Sequence, residues 1–146
     1  AIVDSSAVLA ASEAAKKASD KYEAATKVQR ERMDKLKEEV QALEVKFKKD
    51  NAIMSDADKK ALQKQAEDKL GEFQRRGQAV SEAKQRTEQE LQGSLVPKVN
   101  AIIEDLRKAG KYEVVLERQA GVRAFDPTLD LTRKVIERLN APGAAK

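Results

Sequence analysis

The sequence predicts an α+β chain, mostly α, in which a long antiparallel coiled-coil helical hairpin projects from a small β-sheet body. Three observations carry this. Ala, Glu, Lys, Leu and Arg make up 79 of the 146 residues, aromatics only 3%. That is a composition of long helices wherever the periodicity agrees. Two long segments carry matched apolar stripes around a common fold-back centre. Most of the strongly apolar residues sit near the two ends of the chain, which such a fold-back brings together.

The first segment runs from about Ser12 to Lys49. Tyr22, Thr26, Gln29, Met33, Leu36, Val40, Leu43 and Phe47 recur at steps of four and three, a heptad seam imperfect at Thr26 and Gln29. The second runs from about Ser55 to Gln92, with Leu62, Ala66, Leu70, Phe73, Gly77, Val80, Ala83, Thr87 and Leu91 on one stripe. Ser55 is a good N-cap and Asp58 sits in the first turn, near the positive end of the helix. A turn near 50–55 pairs Phe47 with Leu62, Leu43 with Ala66, Leu36 with Phe73 and Tyr22 with Thr87; each pair of numbers adds to 109. Arms of this length reach roughly 55 Å at about 1.5 Å per residue. The seam is thin and partly polar, so the arms should be flexible, with Gly77 opposite Met33 as a soft point.

After Gln92 the pattern changes. Gly93, Ser94 and Pro97 predict an interruption, with a new helix starting or kinking at Pro97 and ending at Gly110. Lys111 to Glu117 is rich in β-formers, Arg118 to Gly121 reads as a turn, and Val122 to Phe125 as a further strand. Asp130 caps a last amphipathic helix with Leu131, Val135, Ile136 and Leu139 inside. At the start, Ile2-Val3 is a strand fragment, and Asp4 precedes a short helix holding Val8 and Leu9. The expected domains are therefore a discontinuous body over 1–20 and 95–140, a hairpin over 21–94, and a disordered tail over 141–146. Three short strands leave edges and a face uncovered, and oligomerisation through the sheet is the economical remedy.

Composition also excludes function classes. With no Cys and no His, thiolate and imidazole chemistry and their metal sites are out. Carboxylates scattered along helices among lysines form no nucleophile–base set, so no enzyme, metal or cofactor is expected. Gly110-Lys111 lacks the rest of a phosphate-binding loop. No apolar run approaches a membrane span. The net charge of +4 favours anionic partners, but the arms are charge-balanced and the aromatics scattered, so no nucleic-acid platform is expected. The start at Ala1 without Met fits removal of a signal peptide, and trimming would look the same.

The C-terminal run Gly110-Lys111-Tyr112-Glu113-Val114-Val115-Leu116-Glu117-Arg118, with Gly121-Val122, Asp126-Pro127, Asp130-Leu131-Thr132 and Val135-Ile136-Glu137-Arg138-Leu139-Asn140, resembles the C-terminal part of the Skp/OmpH family. Ile2-Val3-Asp4 looks like that family's first strand, slightly truncated, and Met54-Ser55-Asp56-Ala57 like its helical turn. The resemblance implies a periplasmic, ATP-independent holdase. It implies a homotrimer whose shared β-barrel body carries helical tentacles, and a cavity that keeps unfolded outer-membrane β-barrel proteins from aggregating. It also implies a lipopolysaccharide or anion patch on Arg76, Lys84 and Arg86, although its fourth basic position is Thr87 here.

Release without a nucleotide requires weak contacts multiplied by avidity. Leu36, Val40, Ala66, Val80 and Ala83 on the inner arm faces are the candidate client-binding residues. Lys46, Lys48, Lys49, Lys59, Lys60 and Lys64 make the tips net positive, fit to steer acidic clients or touch an anionic membrane surface. Val114, Leu116, Val122 and Phe125 are the candidate trimerisation residues of the body. The rival reading is a structural coiled-coil scaffold without chaperone activity.

Overall fold

A computed structural model describes residues 1–118 and 121–143. The elements are β1 (Ile2–Val3), α1 (Ser5–Ala10), α2 (Glu13–Asp50), α3 (Asp56–Ala109), β2 (Leu116–Glu117), a single 3-10 turn (Pro127–Leu129) and α4 (Thr132–Leu139). The chain is mostly helical, with one small parallel strand pair. It divides into two compact units. One joins Ala1–Lys21 to Thr87–Lys146; the other is Tyr22–Arg86.

The first unit is built around β1. On one side, Leu116 N–H donates to the Ala1 carbonyl (3.0 Å) and Arg118 N–H to the Val3 carbonyl (2.8 Å), pairing β1 with β2 in parallel. On the other side, Leu131 N–H donates to the Ile2 carbonyl at 2.8 Å, and Asp4 N–H to Thr132 Oγ1 at 2.9 Å. The third partner of the small sheet is therefore a bridge at Asp130, not the strand expected over Val122–Phe125. Likewise the strand expected over Lys111–Glu117 shrinks to its last two residues. The physical reason is the length of β1. Two residues offer only a few backbone groups per edge, so neither neighbour has a template for a longer ladder. Asp126 also turns the chain, accepting from Thr128 N–H at 2.9 Å before the 3-10 turn. Of the expected turn over Arg118–Gly121, Gln119 and Ala120 lie outside the described residues, as do the last three residues of the expected tail.

Val3, Val8, Leu95, Val99, Leu106, Leu131, Val135 and Leu139 form the buried core of this unit. That core explains a second departure. α3 does not break at Gly93, Ser94 and Pro97; it runs unbroken through them. An interior proline costs about 3 kcal/mol. Burying Leu95, Val99 and Leu106 on one face of the same turns recovers roughly 1.5–3 kcal/mol each. Continuity therefore wins over the local break signal.

α3 ends where expected but by a different residue. Lys111, at φ 55°, takes the left-handed position, not Gly110. Tyr112 N–H reaches the Arg107 carbonyl (3.0 Å) and Lys111 N–H the Lys108 carbonyl (3.1 Å), the pair of bonds that defines a Schellman end. Gly110 serves packing instead: the Tyr112 ring lies where its side chain would be.

The caps follow the sequence. Asp4 accepts from Ala7 N–H (2.8 Å), Ser12 Oγ from Ala15 N–H (3.0 Å), and Ser55 Oγ from Asp58 N–H (3.1 Å). At α4 the expectation shifts by one residue: the N-cap position is Leu131, which has no capping side chain, and Asp130 just outside it accepts from Thr132 N–H at 2.9 Å. Each satisfies a backbone donor that a helix start leaves orphaned.

Within the second unit, α2 and α3 are joined by the turn Asn51–Ile53 and lie against each other. Leu36 is fully buried and Leu62 nearly so. Thr26 is buried as well, but its hydroxyl donates to the Tyr22 carbonyl at 2.9 Å, so the polar seam position costs little. The Met33 methyl lies where a side chain on Gly77 would first make contact, at 3.4 Å.

Candidate functional site

The helix pair of the second unit has two unlike flanks. On one, charges tie α2 to α3. Arg32 holds Glu72 with two parallel hydrogen bonds, both 3.1 Å, and also reaches Glu39 at 3.1 Å. Lys69 Nζ lies 2.6 Å from Glu39, and Arg76 lies 2.8 Å from Glu72 and 2.6 Å from Gln29 Oε1. The Arg32 and Arg76 guanidiniums hold the Glu72 carboxyl well below the usual carboxylate range, down to about 2. The ammonium of Lys69, helped by Arg32, lowers Glu39.

The other flank is open. Leu43, Phe47, Leu62 and Ala66 floor a groove of about 570 Å³ next to the turn, bordered by Glu44, Lys48, Asp56, Lys59, Lys60 and Gln63. A shallower hollow of about 220 Å³ continues beyond it, lined by Leu36, Lys37, Val40, Gln41, Leu70 and Phe73. Phe47 is 39% exposed and Leu70 47%, high values for large apolar side chains beside a seam. At the turn itself Ile53 is 85% exposed.

The expected client-binding residues are not equivalent. Leu36 is fully buried between the helices, whereas Val40, Ala66, Val80 and Ala83 are half-buried. Lys46, Lys48, Lys49, Lys60 and Lys64 are exposed and Lys59 half-buried. None of the six has an ion-pair partner among the described residues. The expected anion residues do not form one cluster. Arg76 is neutralised by Glu72, and Lys84 has an interaction of its own. At about 100° per residue, Arg76, Lys84 and Arg86 spread over an arc of roughly 160°.

In the first unit, Val114 and Leu116 are more than half exposed, and Val122 and Phe125 are half-buried. Arg118 sits 5.3 Å from the Phe125 ring centre and 3.5 Å from Asp130, fixing this segment to the bridge beside β1. Val96 and Leu129 add apolar surface, 40% and 37% exposed.

Sequence reasoning missed the ion network, the groove border at Lys37, Gln41 and Gln63, and the exposed Ile53. A signal existed for the first. Arg32 and Glu39 recur seven apart beside the seam on α2, and Lys69, Glu72 and Arg76 recur three and four apart on α3, the spacing of flanking charges in paired helices.

A family model described as outer membrane protein (OmpH-like) matches residues 1–139. A curated protein of Pseudomonas aeruginosa named "Skp-like protein" is 30% identical over 109 residues, covering 75% of this chain. The matched stretch spans 64% of that relative, less than two thirds of its length.

Proposed function

Because the chain belongs to the OmpH-like family, we propose that it is an ATP-independent holdase chaperone that keeps unfolded outer-membrane β-barrel proteins from aggregating. The match across residues 1–139 carries this reading. In it, residues 21–94 form an antiparallel tentacle and residues 1–20 with 95–140 the body. Three copies share that body in the periplasm and enclose the client between their tentacles. The exposed apolar surface at Val114 and Leu116, beside the two-residue strands, supports a body that is completed by other copies. No helix among the described residues is long and apolar enough to cross a membrane.

The physical logic is weak, multiple contact. Half-buried Val40, Ala66, Val80 and Ala83 offer little apolar area each, so no single contact holds a client for long. Several arms acting together supply avidity, and release needs no fuel. Unpaired lysines near the turn attract acidic chains over distances of about a Debye length, ~8–10 Å at physiological salt. Arg76 is held by Glu72, and Lys84 and Arg86 lie on nearly opposite faces of α3, so these three residues give little support to a single lipopolysaccharide patch.

The test is client protection with stoichiometry. A urea-unfolded outer-membrane β-barrel is diluted into detergent-free buffer with increasing amounts of this protein, and light scattering is followed. Full suppression near three chains per client without nucleotide is expected. Undiminished scattering at large excess would leave a coiled-coil scaffold as the better reading.

A further inference from the structure

We propose that the open flank of the helix pair is the docking surface, and that its occupant is an extended polypeptide segment alternating bulky apolar with acidic side chains. This rests on the chaperone reading above and names the side of the arm that takes the client.

The two flanks are set by the helix repeat. Arg32, Glu39 and Lys46 recur seven apart and share one side of α2, while Lys37, Gln41, Glu44 and Lys48 recur four and three apart on the other. On α3, Lys69, Glu72 and Arg76 take the first side and Asp56, Lys59 and Gln63 the second. On the first side every cation that bridges the helices is neutralised: Arg32, Lys69 and Arg76 by Glu39 and Glu72. Along Arg32 to Arg76 that side is closed by its own ions; nearer the turn it keeps a hollow of about 280 Å³ beside Lys46, but Asp58, Gln65, Met54 and Ala61 line it with no large apolar floor other than Leu62.

On the second side the relation is reversed. Lys37, Lys48, Lys59 and Lys60 border the grooves without an ion-pair partner among the described residues. Glu44 and Asp56 are the only acids on the border, so its balance is positive. Positive border and apolar floor together call for a partner with apolar and acidic groups close to each other.

Length argues for an extended chain. Leu36 to Phe47 spans about 16 Å of helix at about 1.5 Å per residue. An extended strand covers that in roughly five residues at about 3.3 Å each. Its same-side residues then fall about 6.6 Å apart, about 1.2 Å more than the roughly 5.4 Å pitch that separates successive helical turns of the floor, a difference small enough for side chains to take up over two or three turns. Alternate side chains thus enter successive hollows while their neighbours point to the lysine border. The larger hollow, about 570 Å³, lies within the usual range of ligand pockets, about 300–1,000 Å³.

The probes are two short fluorescein-labelled peptides, one alternating Tyr with Glu and one alternating Tyr with Lys. Anisotropy with the full chain should show the acidic peptide bound at least about tenfold more tightly, a difference of about 1.4 kcal/mol. Lys59→Glu with Lys60→Glu, both surface changes, should abolish that preference. A photo-crosslinking residue in place of Gln63, on the groove border, should capture the acidic peptide. The same residue in place of Gln65, which lines the opposite side, should not. No binding of either peptide, equal binding of both, or equal crosslinking from both positions overturns the proposal. Capture of acyl chains from phosphatidylglycerol vesicles at position 63, without peptide capture, overturns it in favour of a lipid occupant. A chain that captures the peptide at position 63 yet fails to suppress client scattering keeps the groove and removes the holdase. Suppressed scattering with capture at position 65 does the reverse.

Discussion

The two units of this chain are stabilised in opposite ways. The first gathers four stretches of sequence, from Val3, from Val8, from Leu95 to Leu106 and from Leu131 to Leu139, into one buried cluster. It also ties distant backbone together through Ala1, Val3 and Leu131. The second has a narrow seam in which Leu36 and Leu62 are the buried apolar residues, and a network of ions on one flank. A unit with a shared core resists local change. A unit held by a seam and by surface charge yields by small steps, as the proposed holdase role would require of a surface that meets many unfolded chains.

The largest expected effect separates the two units directly. Leu131→Ala removes a side chain 1% exposed from the cluster beside Val135 and Val8, and should cost about 3–4 kcal/mol. Leu36→Ala, equally buried in the seam, should cost about 2 kcal/mol, because two helices can close over the gap more readily than a four-way core. Urea unfolding followed by circular dichroism measures both. Equal losses would break the comparison.

A second change probes the body alone. Gly110→Ala forces a methyl into the Tyr112 ring and should cost about 1–3 kcal/mol, as overpacking does. Combining it with Tyr112→Ala should cost less than the two changes added. Strict additivity, read from the same unfolding curves, would show that the ring does not sit on Gly110.

In the arm, Gly77→Ala should stabilise by about 0.5–1 kcal/mol through helix propensity. The added methyl meets the Met33 methyl at an ordinary 3.4 Å. Thermal melting reads the gain. If arm flexibility sets the client range, the same variant should capture fewer sizes of unfolded barrel; unchanged capture of small and large barrels would sink that link.

The smallest effect belongs to the ions. Glu72 is lowered to about 2 by its two arginines, so its contribution to folding is fully present above the ordinary carboxylate pKa, about 4.3. It is lost as pH falls from there towards 2. Glu72→Gln should therefore lower the melting temperature slightly at pH 7, less in 1 M salt, and not at all at pH 2. A difference that persists at pH 2 or in high salt would assign Glu72 a packing role instead.

Much of the helical layout was readable because it is local. The cap at Ser55 with Asp58, the four-and-three spacing from Met33 to Phe47, and Asp4 before Val8 each act within one or two turns. Pro97 and Val122–Phe125 differ from the sequence expectation for the complementary reason. The signal at Pro97 is a local break, but the burial of Leu95, Val99 and Leu106 that outweighs it comes from residues far away in sequence. Val122–Phe125 has the composition of a strand, yet β1 already has its two edges occupied, by β2 and by the bridge at Asp130.

The candidate site divides along the same line. That the segments around Leu36 to Phe47 and Leu62 to Phe73 carry apolar stripes among lysines was visible residue by residue. Which of those residues disappear into the seam, as Leu36 does, and which line an open groove, as Phe47 and Leu70 do, was not. The helices, most of their caps and their apolar faces follow from local sequence, because hydrogen bonds and side-chain neighbours three and four residues apart decide those. The pairing of Arg32 with Glu72 and of Glu39 with Lys69, and with it the difference between the two flanks, arises when the two helices pack. Contacts between residues thirty and forty positions apart depend on how two helices are rotated against each other, and no short stretch of sequence sets that angle.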